Sequence, residues 1–333
     1  MSAAASHGTG ALLVAAALLT LGGAALARGP AAPGPRPDDS RPIELDSGQA
    51  RSPVVVLPPA RLPVESGASP IYWDPGWPRF SRAEWIITGL AGVATLSAVI
   101  AGPSRERALR GWGPDEEIRD ALRLGTLHQR RVIRDVSDAF LTALNAYPFV
   151  VDALVVAAWY RRSSDVALQM ALINAEAIAI TLALQTMTNV VLGRERPYGR
   201  DCDGALPSDS RDCDSNGRHY SFFSGHTSQA FVAAALICSH HYHLELYGGG
   251  WADAVPCAAG FTAAAATGMM RIMGDMHYFS DVMVGAAVGT LVGLGVPWLF
   301  HYRFPRAERV ERRSDFTYQL LPGPMGASMV GTF

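Results

Sequence analysis

The sequence predicts an all-α protein, a multi-helix bundle of about six long helices that crosses a membrane. Three observations point there. Apolar segments recur at roughly 85–102, 140–160, 166–192, 227–246, 251–273 and 282–301, lengths that suit helices able to span or line a bilayer. Ala, Gly, Ser and Thr dominate these segments, as close helix packing in a membrane favours. Alternating apolar and polar residues, the mark of half-buried strands, are sparse. The 333 residues are 49% hydrophobic and 17% charged, with a mean hydropathy of +0.13, enough for a large core in one or two domains. A net charge of −2 argues against bulk attraction to nucleic acid, so anion binding must come from a local cluster.

The elements follow in order. Residues 1–27 hold an apolar stretch from Ala11 and end in Ala25-Leu26-Ala27, a small-x-small pattern expected of an export signal. No basic residue precedes the stretch, which leaves an uncleaved anchor as the alternative. Residues 28–80 are Pro-rich without a long periodic apolar run and read as an extended linker outside the folded core. The helical domain is expected over 81–302. Residues 114–135, "PDEEIRDALRLGTLHQRRVIRD", carry charge on most faces and predict a surface helix between the first two long ones. Asn145, Asp152, Gln169, Asn174 and Glu176 interrupt the next two segments; facing lipid they are costly, so they must point into the bundle. The last segment, "VMVGAAVGTLVGLGVPWLFH", reads as a spanning helix with Trp298 and Tyr302 at the interface. Residues 303–333 form an Arg-rich tail, with Arg306, Arg309, Arg312 and Arg313, for which the sequence suggests no function.

Of four cysteines, Cys202 and Cys213 lie in the polar stretch "DCDGALPSDSRDC" and are a candidate disulfide in an exported protein. Cys238 and Cys257 sit in apolar runs and read as small buried side chains. His240, His241 and His243 follow a long apolar helix and read as an interfacial cap rather than a metal site.

Three stretches bring chemistry to helix ends. In "NVVLGRERPYGRD", Arg194, Arg196 and Arg200 crowd the end of a helix that Pro197 terminates. In "HYSFFSGHTSQAF", Ser224, Gly225 and His226 open a helix, offering a hydroxyl, free backbone N–H groups and a proton donor at the positive end of a dipole. In "MRIMGDMHYFSDVM", Arg271 precedes His277 by six residues and Asp281 follows it by four. One helical turn lets a carboxylate fix the imidazole tautomer and leave the other ring nitrogen as a nucleophile. Each stretch also has an ordinary structural reading, as dipole complement, helix cap or chance pair.

Together, in this order and spacing, they resemble the phosphatidic acid phosphatase type 2 superfamily, which includes bacterial acid phosphatases and vanadium haloperoxidases. The resemblance covers about residues 140–300. It implies a helical bundle with its site at helix ends, and a phosphoric ester hydrolase in which His277 attacks phosphorus to form a phosphohistidine. By the same resemblance His226 protonates the leaving oxygen, Asp281 orients His277, and Arg196, Ser224, Gly225 and Arg271 hold the phosphate oxygens. No metal or cofactor is implied, vanadate entering only if the chain is a haloperoxidase. The sequence departs from the pattern at Asn189, where the family has Lys, at Phe223 for Pro and at Met270 for Ser. Every basic residue besides histidine is Arg, so Arg194, Arg200 and Asn189 are further candidates for the phosphate pocket.

An anion site at the ends of apolar helices suits a lipid phosphate, with the bilayer as the other partner. A soluble exported acid phosphatase, a haloperoxidase and a non-catalytic phospholipid-binding protein remain the alternatives. The candidate disulfide and the resemblance place the motif loops on the periplasmic or outer face of a bacterial-type membrane, whereas a cleaved signal followed by six spans would leave them inside.

Overall fold

Helix starts and stops in this chain follow local chemistry. In the computed structural model, which describes residues 69–104, 111–203, 212–213, 216–305, 317–323 and 326–332, helix α1 (Arg82–Ala101) begins at Ser81. The Ser81 hydroxyl accepts from Glu84 N and the Glu84 carboxylate accepts from Ser81 N, a reciprocal capping box. Short helix α2 (Asp115–Leu122) follows. Helix α3 (Leu127–Tyr147) starts on a second capping box, Thr126 with Gln129. At Pro148, which has no N–H to donate, it passes into wider π-helical turns over Pro148–Tyr160. Helix α4 (Ser164–Leu192) stops at Gly193, whose φ of +54° is left-handed. Helices α5 (Gly225–Leu244), α6 (Trp251–Met273) and α7 (Phe279–Pro297) complete the bundle, α7 running on in a π-helical turn over Trp298–Tyr302. Strands β1 (Thr317–Gly323) and β2 (Gly326–Thr332) pair antiparallel in the tail, an element that the sequence did not suggest.

The all-α bundle is as expected. Among the described residues, four helices are long and apolar enough to cross a membrane: α1, α3 with its π-helical extension, α4, and α7 with its final turn. Large apolar side chains of α1, including Trp85, Ile86, Leu90 and Val93, are more than half exposed, as a lipid-facing helix requires. Asp152, Gln169, Asn174 and Glu176 are buried. Helix α5 is the centre of the bundle, its residues from Ala230 to Leu236 almost wholly enclosed. It lies tight against α7 because that helix presents Gly285, Gly289 and Gly293 on one stripe. A Cβ at these positions would stand 2.8, 2.3 and 2.6 Å from the carbonyl oxygens of Ser224, Ser228 and Val232.

Several local expectations are corrected. Residues 114–135 are not one surface helix: the chain breaks before Thr126, and everything from Leu127 on is the first part of α3. Three of its five arginines are not surface groups either: Arg119, Arg130 and Arg134 are buried, Arg123 is half-buried and Arg131 is exposed. Of the stretch expected as linker, residues 69–80 form no helix before α1, yet Trp73 and Trp77 are packed in the main core beside Tyr302. Tyr302 is buried rather than interfacial: its hydroxyl meets His240 Nδ1 at 2.8 Å and its ring stacks on His243 at 4.1 Å. His240 and His241 are likewise interior groups, His240 Nε2 donating to Asn174 (2.8 Å) and His241 lying between Asp253 (2.6 Å) and Asp152 (3.2 Å). Cys238 and Cys257 are joined as a disulfide linking α5 to α6. The N-terminal signal or anchor, the linker to residue 68, and Arg306, Arg309, Arg312 and Arg313 lie outside the described residues.

Candidate active site

The site is assembled at one end of the bundle, where α4 stops and α5 and α7 start. Gly193 turns the chain sharply enough that its own hydrogen stands where a Cβ would be 1.8 Å from the Ser104 carbonyl oxygen. Directly after it, Arg194 enters the interior and Arg196 turns toward the loop before α5. Ser224 caps α5 by accepting from Thr227 N (3.3 Å), and its own N–H donates to the Asp281 carbonyl (3.1 Å). The starts of α5 and α7 are thus clamped together.

His277 lies in the short loop between α6 and α7 and is 2% exposed. Its Nδ1 is 2.7 Å from the Ser221 carbonyl oxygen. A carbonyl only accepts, so Nδ1 carries the proton and Nε2 keeps its lone pair. Burial first, then the positive charges of Arg196 and Arg271 and the nearby His226, hold its pKa well below the ordinary histidine value. The imidazole is therefore neutral across the physiological range, with the Nε2 lone pair unprotonated.

Asp281 does not make the direct imidazole contact expected from the four-residue spacing. It stands 3.8 Å from His277 Nδ1. Its oxygens instead accept from Ser221 Oγ (2.6 Å), Tyr278 N (2.8 Å) and Arg194 Nη1. Asp281 thereby holds the residue whose carbonyl holds His277, one bond removed from the ring. Behind it, Arg194 is fully buried, paired also with Asp115 (2.7 Å) and Ser280 (2.8 Å) and sandwiched between the rings of Trp112 (4.2 Å) and Tyr278 (4.5 Å). Arg194 is committed to this framework rather than to the pocket. Arg200 is exposed and pairs with Glu116 at 2.5 Å. Asn189 donates to the Gln185 carbonyl within its own helix (3.0 Å), and its Oδ1 is buried without a partner. Neither reaches the cluster around His277 through any hydrogen bond among the described residues.

The other face of the site carries His226, Arg271 and a residue that the sequence did not single out. Asp138 of α3 accepts from His226 Nε2 at 2.9 Å and from Arg271 Nη1 at 2.8 Å. Arg196 donates to the Tyr220 carbonyl (3.3 Å) and to Met276 Sδ (3.6 Å); among the described residues it has no carboxylate partner. Arg134, also from α3, donates to the Gly274 carbonyl (2.6 Å) and Asp212 (3.0 Å), while its second terminal nitrogen is buried without a partner. Arg134, Arg196 and Arg271 are close enough to repel one another electrostatically. An anion among them would relieve that repulsion. Helix α2 braces the assembly: Arg119 grips Asp275 with two bonds (2.7 and 2.9 Å), and Asp115 accepts from Ser280 N at 2.8 Å. Cys202 and Cys213 are joined by a disulfide beside it.

A neutral buried imidazole with a free Nε2, ringed by guanidinium groups and the start of a helix, is the arrangement that phosphoryl transfer needs. The family model of the PAP2 superfamily matches residues 170–305, which contain Arg196, Ser224, Gly225, His226, Arg271, His277 and Asp281. The match covers less than half of the chain, and over this segment the chain is similar to that family. The chain is also similar to lipid A 1-phosphatase of Porphyromonas gingivalis, 47% identical over 75 residues that make up 22% of this chain and 15% of that protein. It thus spans only a small part of that relative's length. Among solved structures, the transmembrane PAP2-type phosphatidylglycerolphosphate phosphatase of Bacillus subtilis is similar at 17% identity and a TM-score of 0.42, covering 65% of this chain and 94% of the other. Aquifex aeolicus LpxE is similar at 20% identity and a TM-score of 0.36, covering 57% and 98%. The PAP2 segment begins within α4, so Asp138, Arg134 and Asp115 lie outside it; the partners they contribute had no local spacing by which to be found.

Proposed function

We propose that this protein is a membrane phosphatase that removes phosphomonoester or diphosphate groups from lipids through a phosphohistidine at His277. The observation that carries the reading is the His277 ring, with Nδ1–H given to the Ser221 carbonyl and Nε2 left as the nucleophile. Nε2 attacks phosphorus in line, the bond from phosphorus to the lipid oxygen breaks, and that oxygen takes a proton from His226. Asp138, 2.9 Å from His226 Nε2, favours the protonated ring against burial and the Arg271 charge, which push its pKa down to about 4. His226 then withdraws a proton from water, which attacks phosphorus and releases His277 and inorganic phosphate. Arg196, Arg271, Ser224 and the start of α5 hold the equatorial oxygens, where charge spreads in the transition state. Arg134 supplies the positive charge that Asn189 does not, from α3 rather than α4.

A lipid substrate is favoured by what lies next to the site. An apolar cavity of about 370 Å³, lined by Ala139, Phe140, Leu144, Ile237, Gly260 and Ala263 among others, runs between α3 and α6 from the residue after Asp138. It is placed to take an acyl or prenyl chain while the headgroup sits at His277. The similarity to a lipid A phosphatase agrees. We infer further that the site faces the periplasm or cell exterior, where the Cys202–Cys213 disulfide beside it would persist. The test is phosphate release by purified protein from phosphatidate, a prenyl diphosphate and lipid A, each in detergent. Release from at least one by wild type and none by His277→Ala is expected; equal rates for the two proteins with all three lipids would refute the reading.

A further inference from the structure

A second polar cluster is buried at the opposite end of the bundle. Glu84 in the first turn of α1, Glu176 in the middle of α4 and His301 just beyond α7 turn their polar atoms together, with one atom from each within 4.8 Å of the others. Their exposures are 3%, 0% and 0%. His301 Nδ1 is 2.9 Å from the Pro78 carbonyl oxygen, so it carries the proton and Nε2 presents a lone pair. That lone pair faces Glu84 Oε1 at 2.8 Å, while Glu84 Oε2 is taken up by Ser81 N at 2.7 Å. Both oxygens of Glu176 lack any hydrogen-bond partner, and among the described residues no arginine pairs with either carboxylate.

With only the proton that His301 Nδ1 already carries, the charges of the three side chains do not balance. Two carboxylates bring two negative charges into an enclosed space, and one extra proton on His301 would neutralise one of them. An uncompensated buried carboxylate is strongly disfavoured. A divalent cation cancels both charges and gives the three converging lone-pair atoms one electrophile to share. One imidazole nitrogen with two carboxylates is a donor set that Zn²⁺ and Mn²⁺ accept. The Pro78 carbonyl behind His301 orients the ring as an outer partner of a metal-bound histidine does. Trp73 packs edge-on at 5.9 Å and covers it.

We propose that Glu84, Glu176 and His301 form a divalent transition-metal site that ties the start of α1 and the end of α7 to α4. It plays no part in phosphate chemistry, since the helix from Asp281 to His301 separates the two sites by about 30 Å at 1.5 Å per residue. Its role is to fasten the first and last long helices of the bundle. Two protons shared among the same three side chains would also neutralise the cluster, and the experiment separates these cases.

Full-length protein without a polyhistidine tag is stripped with chelator in detergent, given Zn²⁺ alone or Mn²⁺ alone, passed through a desalting column, and analysed for bound metal and thermal stability. One metal per chain and a raised Tm with at least one of the ions are expected. Glu176→Gln, which keeps shape and removes the charge, is expected to weaken metal binding at least tenfold and to abolish the shift in Tm. Should that variant not fold, X-ray absorption of metal-loaded wild type decides: the proposal requires only nitrogen and oxygen ligands, including one imidazole. Wild type that retains neither ion, unchanged stoichiometry in Glu176→Gln, or sulfur in the coordination shell would overturn it.

Discussion

At the scale of single residues, the chemistry depends on which partner each charged group is given. Arg194, Arg196 and Arg200 are close in sequence, yet only Arg196 is left without a carboxylate among the described residues, Arg194 being locked between Asp281 and Asp115. Arg194→Lys is expected to lower kcat by about 10²-fold or more with little change in KM, because a lysine cannot fork between two carboxylates. Asp138 serves both His226 and Arg271; Asp138→Asn is expected to cost about 10²-fold in kcat, on the scale of losing general-acid assistance. Steady-state kinetics on a lipid phosphate checks both. Because the folded-state pKa of His277 is held well below its ordinary value, the acid limb of kcat/KM due to the nucleophile falls below about pH 6.5, the usual histidine range. The same shift has a stability side. The unfolded chain takes up the proton first, so stability contributed by the neutral buried ring is intact above about pH 6.5 and falls as pH drops toward the folded value. A pH–Tm profile that is steeper in wild type than in His277→Gln below that point is the expected outcome. The three motif stretches were legible because each is local. Asp138, Ser221 and Asp115 were not: Asp138 meets His226 across 88 residues of sequence, and no spacing rule reaches that far.

At the scale of elements, glycine decides how closely the pieces of the site approach. Gly193 combines a positive φ with backbone contact, a Cβ there meeting Ser104 O at 1.8 Å. Gly193→Ala is expected to destabilise by several kcal/mol, about 1–2 for the left-handed backbone alone, with the clash added. Gly289→Ala would push α7 from α5, where Ser228 O stands 2.3 Å from the new methyl; a cost of about 1–3 kcal/mol is expected for such overpacking. Thermal unfolding in detergent measures both, and loss of activity should parallel loss of stability because Ser224 and Asp281 are clamped by the same contact. The six long helices were readable from apolar length. Residues 114–135 were misjudged because their charges are buried in ion pairs with Asp275, Asp201 and Asp212, and hydropathy cannot distinguish a paired interior arginine from a solvated one. The histidines after α5 misled for the same reason, their partners Asn174, Asp152 and Asp253 lying on other elements.

At the scale of the whole molecule, the groups proposed as catalytic gather at one end of the bundle and the buried Glu84, Glu176 and His301 cluster at the other, so the helices hold the two apart. If the catalytic end faces outward, a membrane-impermeant thiol reagent added to intact cells labels Cys202 and Cys213 only after reduction; labelling that needs permeabilised cells would place that end inside. The central claim is that His277 carries the phosphoryl group. Rapid acid-free quenching of a single turnover, with lipid labelled in the transferred phosphate, tests it most directly. The account predicts a base-stable, acid-labile phosphoprotein that forms and decays within the turnover and is absent from His277→Ala. Phosphate release at full rate with no phosphoprotein at any time, or the same phosphoprotein in His277→Ala, would contradict it.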